Sequence, residues 1–173
     1  MRDEGVRESI RTELEATRLA FHALLDSLPD EELGRQSLNA GWTNAEVLFH
    51  IVLAFILLEP LVPMARIYGR LPPRYSRPQA WLLDAITGPF NWINALGARL
   101  GGRVLTRPQI RARYDHFHRR ALKMIETIRD DEWQRGMFYP ARWDPLFSDF
   151  MTLEQVFRFP EAHFRFHAGQ IAR

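Results

Sequence analysis

The chain has 173 residues, 46% of them hydrophobic, which is enough for a buried core in one domain over residues 1–173. It contains no cysteine, which excludes disulfides, thiolate metal sites and cysteine nucleophiles. The net charge of +2 is unevenly spread: residues 1–65 hold 5 arginines against 11 acids, and residues 66–113 hold 9 arginines against Asp84 alone. That basic middle reads either as a solvated loop face, with membrane-surface contact a remoter role, or as a site for an anionic substrate.

The N-terminal stretch is charged and amphipathic and has no apolar leader core, so a cytoplasmic protein is expected. The first helix is predicted from about Asp3 to Leu28. Val6, Ile10, Leu14, Thr17, Phe21, Leu24 and Leu28 form one stripe at three- and four-residue spacings, and Pro29 stops it. His22 lies beside that stripe and reads as structural or surface. After a short connection, Thr43 and Glu46 make a capping box for a second helix, apolar nearly all round. Val47–Ala65 is interrupted by His50, Glu59, Pro60 and Pro63, so it reads as a buried central helix, with no membrane span. Such a helix needs cover from the bundle or from a partner subunit, which makes a homodimer the expectation. Pro60 and Pro63 are expected to kink or end it, and Gly69 to cap it.

Residues 70–107 are broken by Pro72-Pro73, Pro78, Gly88-Pro89 and Gly101-Gly102. Short helices over 79–87 and 90–100, with Trp81, Phe90 and Trp92 exposed, make this a crossover that lids one end. The third helix starts after Thr106, with Ile110, Tyr114, Phe117, Ala121, Met124 and Ile128 as its stripe. His116 and His118, two apart, point to different sides and read as surface or supporting residues. Leu28-Pro29-Asp30-Glu31-Glu32-Leu33 is echoed by Ile128-Arg129-Asp130-Asp131-Glu132-Trp133, and Thr43/Glu46 by Thr152/Gln155, which suggests two related helix–loop–helix halves. The loop 135–151, with Tyr139, Arg142, Trp143 and Asp144, borders a pocket on this reading. The fourth helix runs from Leu153 to about Arg173, with a kink expected at Pro160. The whole is an all-α four-helix bundle.

His163 and His167, four apart, stack on one helix face and can reach a single point, as a divalent metal requires. His50 lies seven residues after Thr43 and His163 eleven after Thr152, both close to whole numbers of turns, so each occupies a comparable face of its helix. A hydrogen-bonded core histidine is the other reading of each.

Gly41-Trp42-Thr43-Asn44-Ala45-Glu46-Val47-Leu48-Phe49-His50-Ile51 resembles the G-W-[ST]-x-x-E-x-x-x-H-[IL] signature of the DinB-like superfamily. Thr152-Leu153 through His163-x-x-x-His167-x-x-Gln170-Ile171 resembles its second motif. The resemblance implies a four-helix bundle with a long crossover between helices two and three, and a divalent metal, often zinc or nickel and with iron admissible, held by His50, His163 and His167. It also implies a small-molecule enzyme, either a transferase or isomerase using a low-molecular-weight thiol such as bacillithiol or mycothiol, or a hydrolase, in detoxification or stress response. No side chain is singled out as catalytic; the nucleophile would be a water or a thiolate at the metal. Arg66, Arg70 and Arg142 are candidates to hold a cosubstrate carboxylate. The family name carries no nucleic-acid activity. The alternative is a non-catalytic dimeric bundle binding a hydrophobic ligand.

Overall fold

The computed structural model describes residues 2–173, with side chains from residue 5 onward. The helices are α1 (Arg2–Ser27), α2 (Asp30–Leu33), α3 (Asn44–Tyr68), α4 (Arg77–Ala85), α5 (Thr87–Val104), α6 (Arg107–Glu126) and α7 (Leu153–Ala168). A two-stranded antiparallel hairpin, β1 (Gly136–Phe138) and β2 (Phe150–Thr152), precedes α7. The four long helices α1, α3, α6 and α7 form an all-α bundle in which α1 and α3 each pack on both α6 and α7 and so stand diagonally. The expected stripes face inward: Ile10, Leu14, Phe21, Ile110, Tyr114 and Ala121 are fully buried. Phe21 stacks on Tyr114 with centroids 4.2 Å apart, and Phe55 meets the same ring edge-on at 5.0 Å.

Among the described residues α3 is the one helix long and apolar enough to cross a bilayer, and 56% of its most apolar window is buried. Much of its further cover comes from α5. Close approach is possible because α5 meets α3 through small residues. A side chain on Gly102 would sit 2.5 Å from the Glu46 Cα. Glu46 ties the two helices further: one oxygen accepts from the Thr43 amide at 2.9 Å, completing the capping box, and the other from Arg103 Nε at 2.9 Å.

Pro60 and Pro63 do not end α3. Both are exposed, where the backbone carbonyls they leave unpaired reach water, and the helix runs on to Tyr68 before Gly69 caps it. Pro160 likewise lies inside α7, which ends at Ala168, earlier than the expected Arg173. The internal echo is structural: α2 corresponds to the 3-10 turn Asp130–Glu132, and the bridge Gln36↔Thr43 to the pair Gly136↔Thr152. Three-residue strands are too short to show an alternation in sequence, and the hairpin was therefore expected as plain loop.

Arg66 and Arg70, candidate substrate clamps in the sequence, are committed elsewhere. Their guanidinium nitrogens lie 3.0 and 3.6 Å from the carboxylate of Glu132, whose side chain is fully buried. Burial by itself would raise the Glu132 pKa, but the Arg129 amide and Arg66 more than offset it and bring the group down to about 2. A depressed carboxylate stabilises the fold above its unfolded value of 4.5 and loses that contribution as pH falls towards 2. In urea unfolding the stability gap between the protein and Glu132→Gln is therefore expected to be widest above pH 5 and to close as pH approaches 2.

Candidate metal centre

α3 delivers His50, and α7 delivers His163 and His167 one turn apart. Their meeting depends on how the C-terminus is held. Asn44, at the start of α3 and fully buried, donates through Nδ2 to the carbonyls of Glu32 (2.9 Å) and Ala172 (2.8 Å), and accepts from the Ala172 amide at 3.0 Å. The Leu38 amide adds a bond to the Gln170 carbonyl at 2.8 Å. The end of α7 is thereby drawn against the beginning of α3.

The three imidazoles form one cluster. Ring centroids are 4.8 Å (His50–His163), 4.5 Å (His50–His167) and 4.3 Å (His163–His167) apart, and one ligand nitrogen from each lies within 4.8 Å of the others. All three are buried. Trp42 stands edge-on to His50 at 4.9 Å, and Phe159 packs by His163 at 5.2 Å. Burial, helped by repulsion from His167, pushes His50 down to about 3. Burial and then the two neighbouring rings hold His163 well below its usual value. His167 is lowered by burial and partly restored by Gln170. At neutral pH the cluster is thus three uncharged imidazoles with free lone pairs.

The donor set suits a borderline divalent cation. Nδ1 of His50 and Nδ1 of His163 are buried with no protein partner, which is costly for groups that serve packing alone. His167 Nδ1 lies 2.8 Å from Gln170 Oε1; accepting there, the amide oxygen places the proton on Nδ1 and leaves the Nε2 lone pair exposed to the cluster. Donors about 2.0–2.1 Å from one ion stand at most about 4.2 Å apart, so slight side-chain rotation brings the trio into range.

Above His50 and His163 lies a small, nearly closed cavity of about 10 Å³, room for about one water, whose walls include Leu53, Leu57 and Phe147. Its roof joins the crossover to the hairpin loop. Phe90 of α5 stacks on Trp143 at 3.8 Å, with the ring planes 9° apart. Trp143 Nε1 donates to the Leu83 carbonyl at 2.9 Å, and the Arg142 amide to Asp84 Oδ1 at 3.1 Å. The expected lid and pocket-bordering loop are both present, although Phe90, expected on the surface, is half-buried in the roof.

Two lining residues have no chemical role assigned from the sequence, although Asp144 is expected in the loop that borders the pocket. Asp144 Oδ2 lies 3.8 Å from His163 Nε2, and burial raises its carboxyl pKa while the Leu146 amide, 2.8 Å from Oδ1, opposes the rise. Asn94 is the other. No local pattern marks either of them. Arg142 is exposed and outside the lining. His22 Nε2 faces Asp115 at 3.0 Å and His118 Nε2 faces Glu15 at 3.6 Å, between α1 and α6. His118 is therefore buried rather than on the surface, and His116 is exposed.

Fold and cluster together define a four-helix-bundle protein with a buried trio of histidines, two of which, His50 and His163, line one pocket. The chain belongs to the DinB superfamily, whose sequence model matches residues 13–171. Solved structures of like fold include a mycothiol-dependent maleylpyruvate isomerase, at 19% identity and a TM-score of 0.64, covering 96% of this chain and 60% of that one. A histidine-to-alanine variant of a mycothiol-dependent maleylpyruvate isomerase matches at 18% identity with the same TM-score and coverage. YfiT from Bacillus subtilis, described as a probable metal-dependent hydrolase with an unusual four-helix bundle topology, matches at 16% identity and a TM-score of 0.56, over 95% of this chain and 83% of that one. This chain spans about 60% of the isomerase's length. No curated protein matches it in sequence. At these identities the likeness is one of fold.

Two measurements check the geometry. Asn44→Ala strands the buried Ala172 and Glu32 backbone groups and is expected to lower the unfolding free energy by about 1–3 kcal/mol, read by urea denaturation. Phe90→Ala removes half of the roof. It is expected to speed diethyl pyrocarbonate modification of His50 and His163 while the exposed His116 reacts at an unchanged rate, as read by peptide mass spectrometry.

Proposed function

We propose that His50, His163 and His167 hold one divalent metal ion, zinc or nickel first and iron next, and that the protein is a metal-dependent enzyme acting on a small molecule by thiol S-transfer or hydrolysis. The convergence of three neutral, buried imidazoles, two of them lining a pocket, carries this reading. Membership of the DinB superfamily and the names of two proteins of like fold support it. The same reading takes residues 1–173 as one domain of a cytoplasmic homodimer that serves detoxification or stress response.

When bound, the ion supplies Lewis acidity, which lowers the pKa of a water or a thiol and polarises an electrophile. His50, His163 and His167 would hold the ion and, as three donors, would leave it a free coordination position. Gln170 holds the His167 tautomer that presents Nε2. Asp144, beside His163 and raised in pKa by burial, is placed to take up and return a proton at the pocket floor. Leu53, Leu57 and Phe147 give the cavity apolar walls that keep bulk water from the histidines, and the Asn94 amide offers an orienting hydrogen bond. With no cysteine in the chain, a thiol nucleophile would arrive as a cosubstrate.

The apolar walls also favour a second reading, a non-catalytic bundle that binds a hydrophobic ligand. Plasma mass spectrometry of tag-free protein separates the two. About one metal per chain, lost in both His50→Ala and His163→Ala, is the expected result. Wild-type protein that stays metal-free after incubation with Zn²⁺ and with Ni²⁺, yet remains folded and takes up an apolar fluorescent dye, would establish the second reading instead.

A further inference from the structure

Exposed apolar side chains are concentrated in one segment. Among the described residues 14 large hydrophobic side chains are exposed, and ten of them fall between Leu71 and Val104. On α5 the usual arrangement is inverted. Ala98, Gly101 and Gly102 turn towards α3, while Trp92, Ile93, Leu96 and Leu100 face outward at 66, 62, 38 and 54% exposure. At 3.6 residues per turn those four lie within an arc of about 100°. Trp81 and Leu82 on α4 are exposed as well, at 73 and 59%, with Trp81 beside Phe138 and Tyr139 of the hairpin segment. A continuous exposed apolar face marks an interaction surface.

The charge around that face selects the partner. Of the nine arginines in residues 66–113, Arg66, Arg70, Arg103, Arg107 and Arg111 pair with carboxylates of other elements, while the segment's one carboxylate, Asp84, already accepts from the Arg142 amide through Oδ1. Arg74, Arg77 and Arg99 are exposed and have no carboxylate within ion-pair distance among the described residues, Arg77 lying over the Phe138 ring at 4.3 Å. A second copy docked on the same face would set like charge against like. An anionic lipid surface meets both features, because arginines are drawn to its headgroups and Trp, Leu and Ile settle at the headgroup–acyl boundary. We propose that the outer face of α5, with the exposed arginines of the crossover, docks the protein on an anionic bilayer surface without spanning it. The contact is distinct from the pocket, which Phe90 and Asn94 line from the opposite side of α5.

The test is co-sedimentation of the full chain with vesicles of phosphatidylcholine alone and of phosphatidylcholine mixed with phosphatidylglycerol, at low and at high salt. Binding is expected on the mixed vesicles only and is expected to weaken with salt. Trp92→Ser combined with Leu100→Ser should abolish it. Arg74→Gln combined with Arg99→Gln should lower the partition coefficient roughly fivefold for each arginine removed. All four positions are exposed, and circular dichroism matching that of the unsubstituted protein confirms that each variant folds. Absence of binding to the mixed vesicles, or equal binding to both kinds, overturns the proposal. So does a dimer in sedimentation equilibrium that the Trp92/Leu100 variant dissolves, which would assign the face to a second copy of the chain.

Discussion

The contact on which the site depends is the buried side chain of Asn44. One amide at the first turn of α3 satisfies two carbonyls and one N–H from segments that are far apart in the chain, Glu32 in α2 and Ala172 beyond α7. Buried backbone groups at helix ends must find partners, and here one side chain serves three. The consequence is positional. With the end of α7 anchored to the start of α3, His167 and His163 stand opposite His50 and not one turn above or below it.

Burial then sets the chemistry. Three imidazoles within a few ångströms could not all be protonated, and the apolar surroundings of Trp42 and Phe159 settle the matter by making the charged form expensive. The same burial leaves two Nδ1 atoms without protein partners. Gln170 supplies what is missing at His167, a partner that orients the ring and selects its tautomer.

The crossover has two faces with different tasks. Its inner side is made of small residues and Phe90, so that it can cover α3 closely and roof the pocket with Trp143. The roof is joined through two hydrogen bonds and one aromatic stack between segments that belong to neither half of the internal repeat's common part. The two halves differ most where they meet the pocket: the first half has a short bridged loop, the second a longer hairpin that carries Asp144 and Phe147.

Much was legible in the sequence because it is local. The stripes of α1 and α6, the capping boxes at Thr43 and Thr152, and the His163–His167 spacing follow from helical periodicity and from hydrogen bonds that reach three or four residues. His50 was legible as a candidate through its offset from Thr43 and through the family signature around it. What only the tertiary structure decided involves distance along the chain. Arg66 and Arg70 pair with Glu132 some sixty residues away, His118 is buried against Glu15, and Phe90 leaves the surface to stack on Trp143. Asp144 reaches His163 only because a hairpin too short to show an alternation folds its loop back over α7. Short-range rules specify which face a residue occupies; which other face it meets is set by packing, and no spacing in the sequence encodes that.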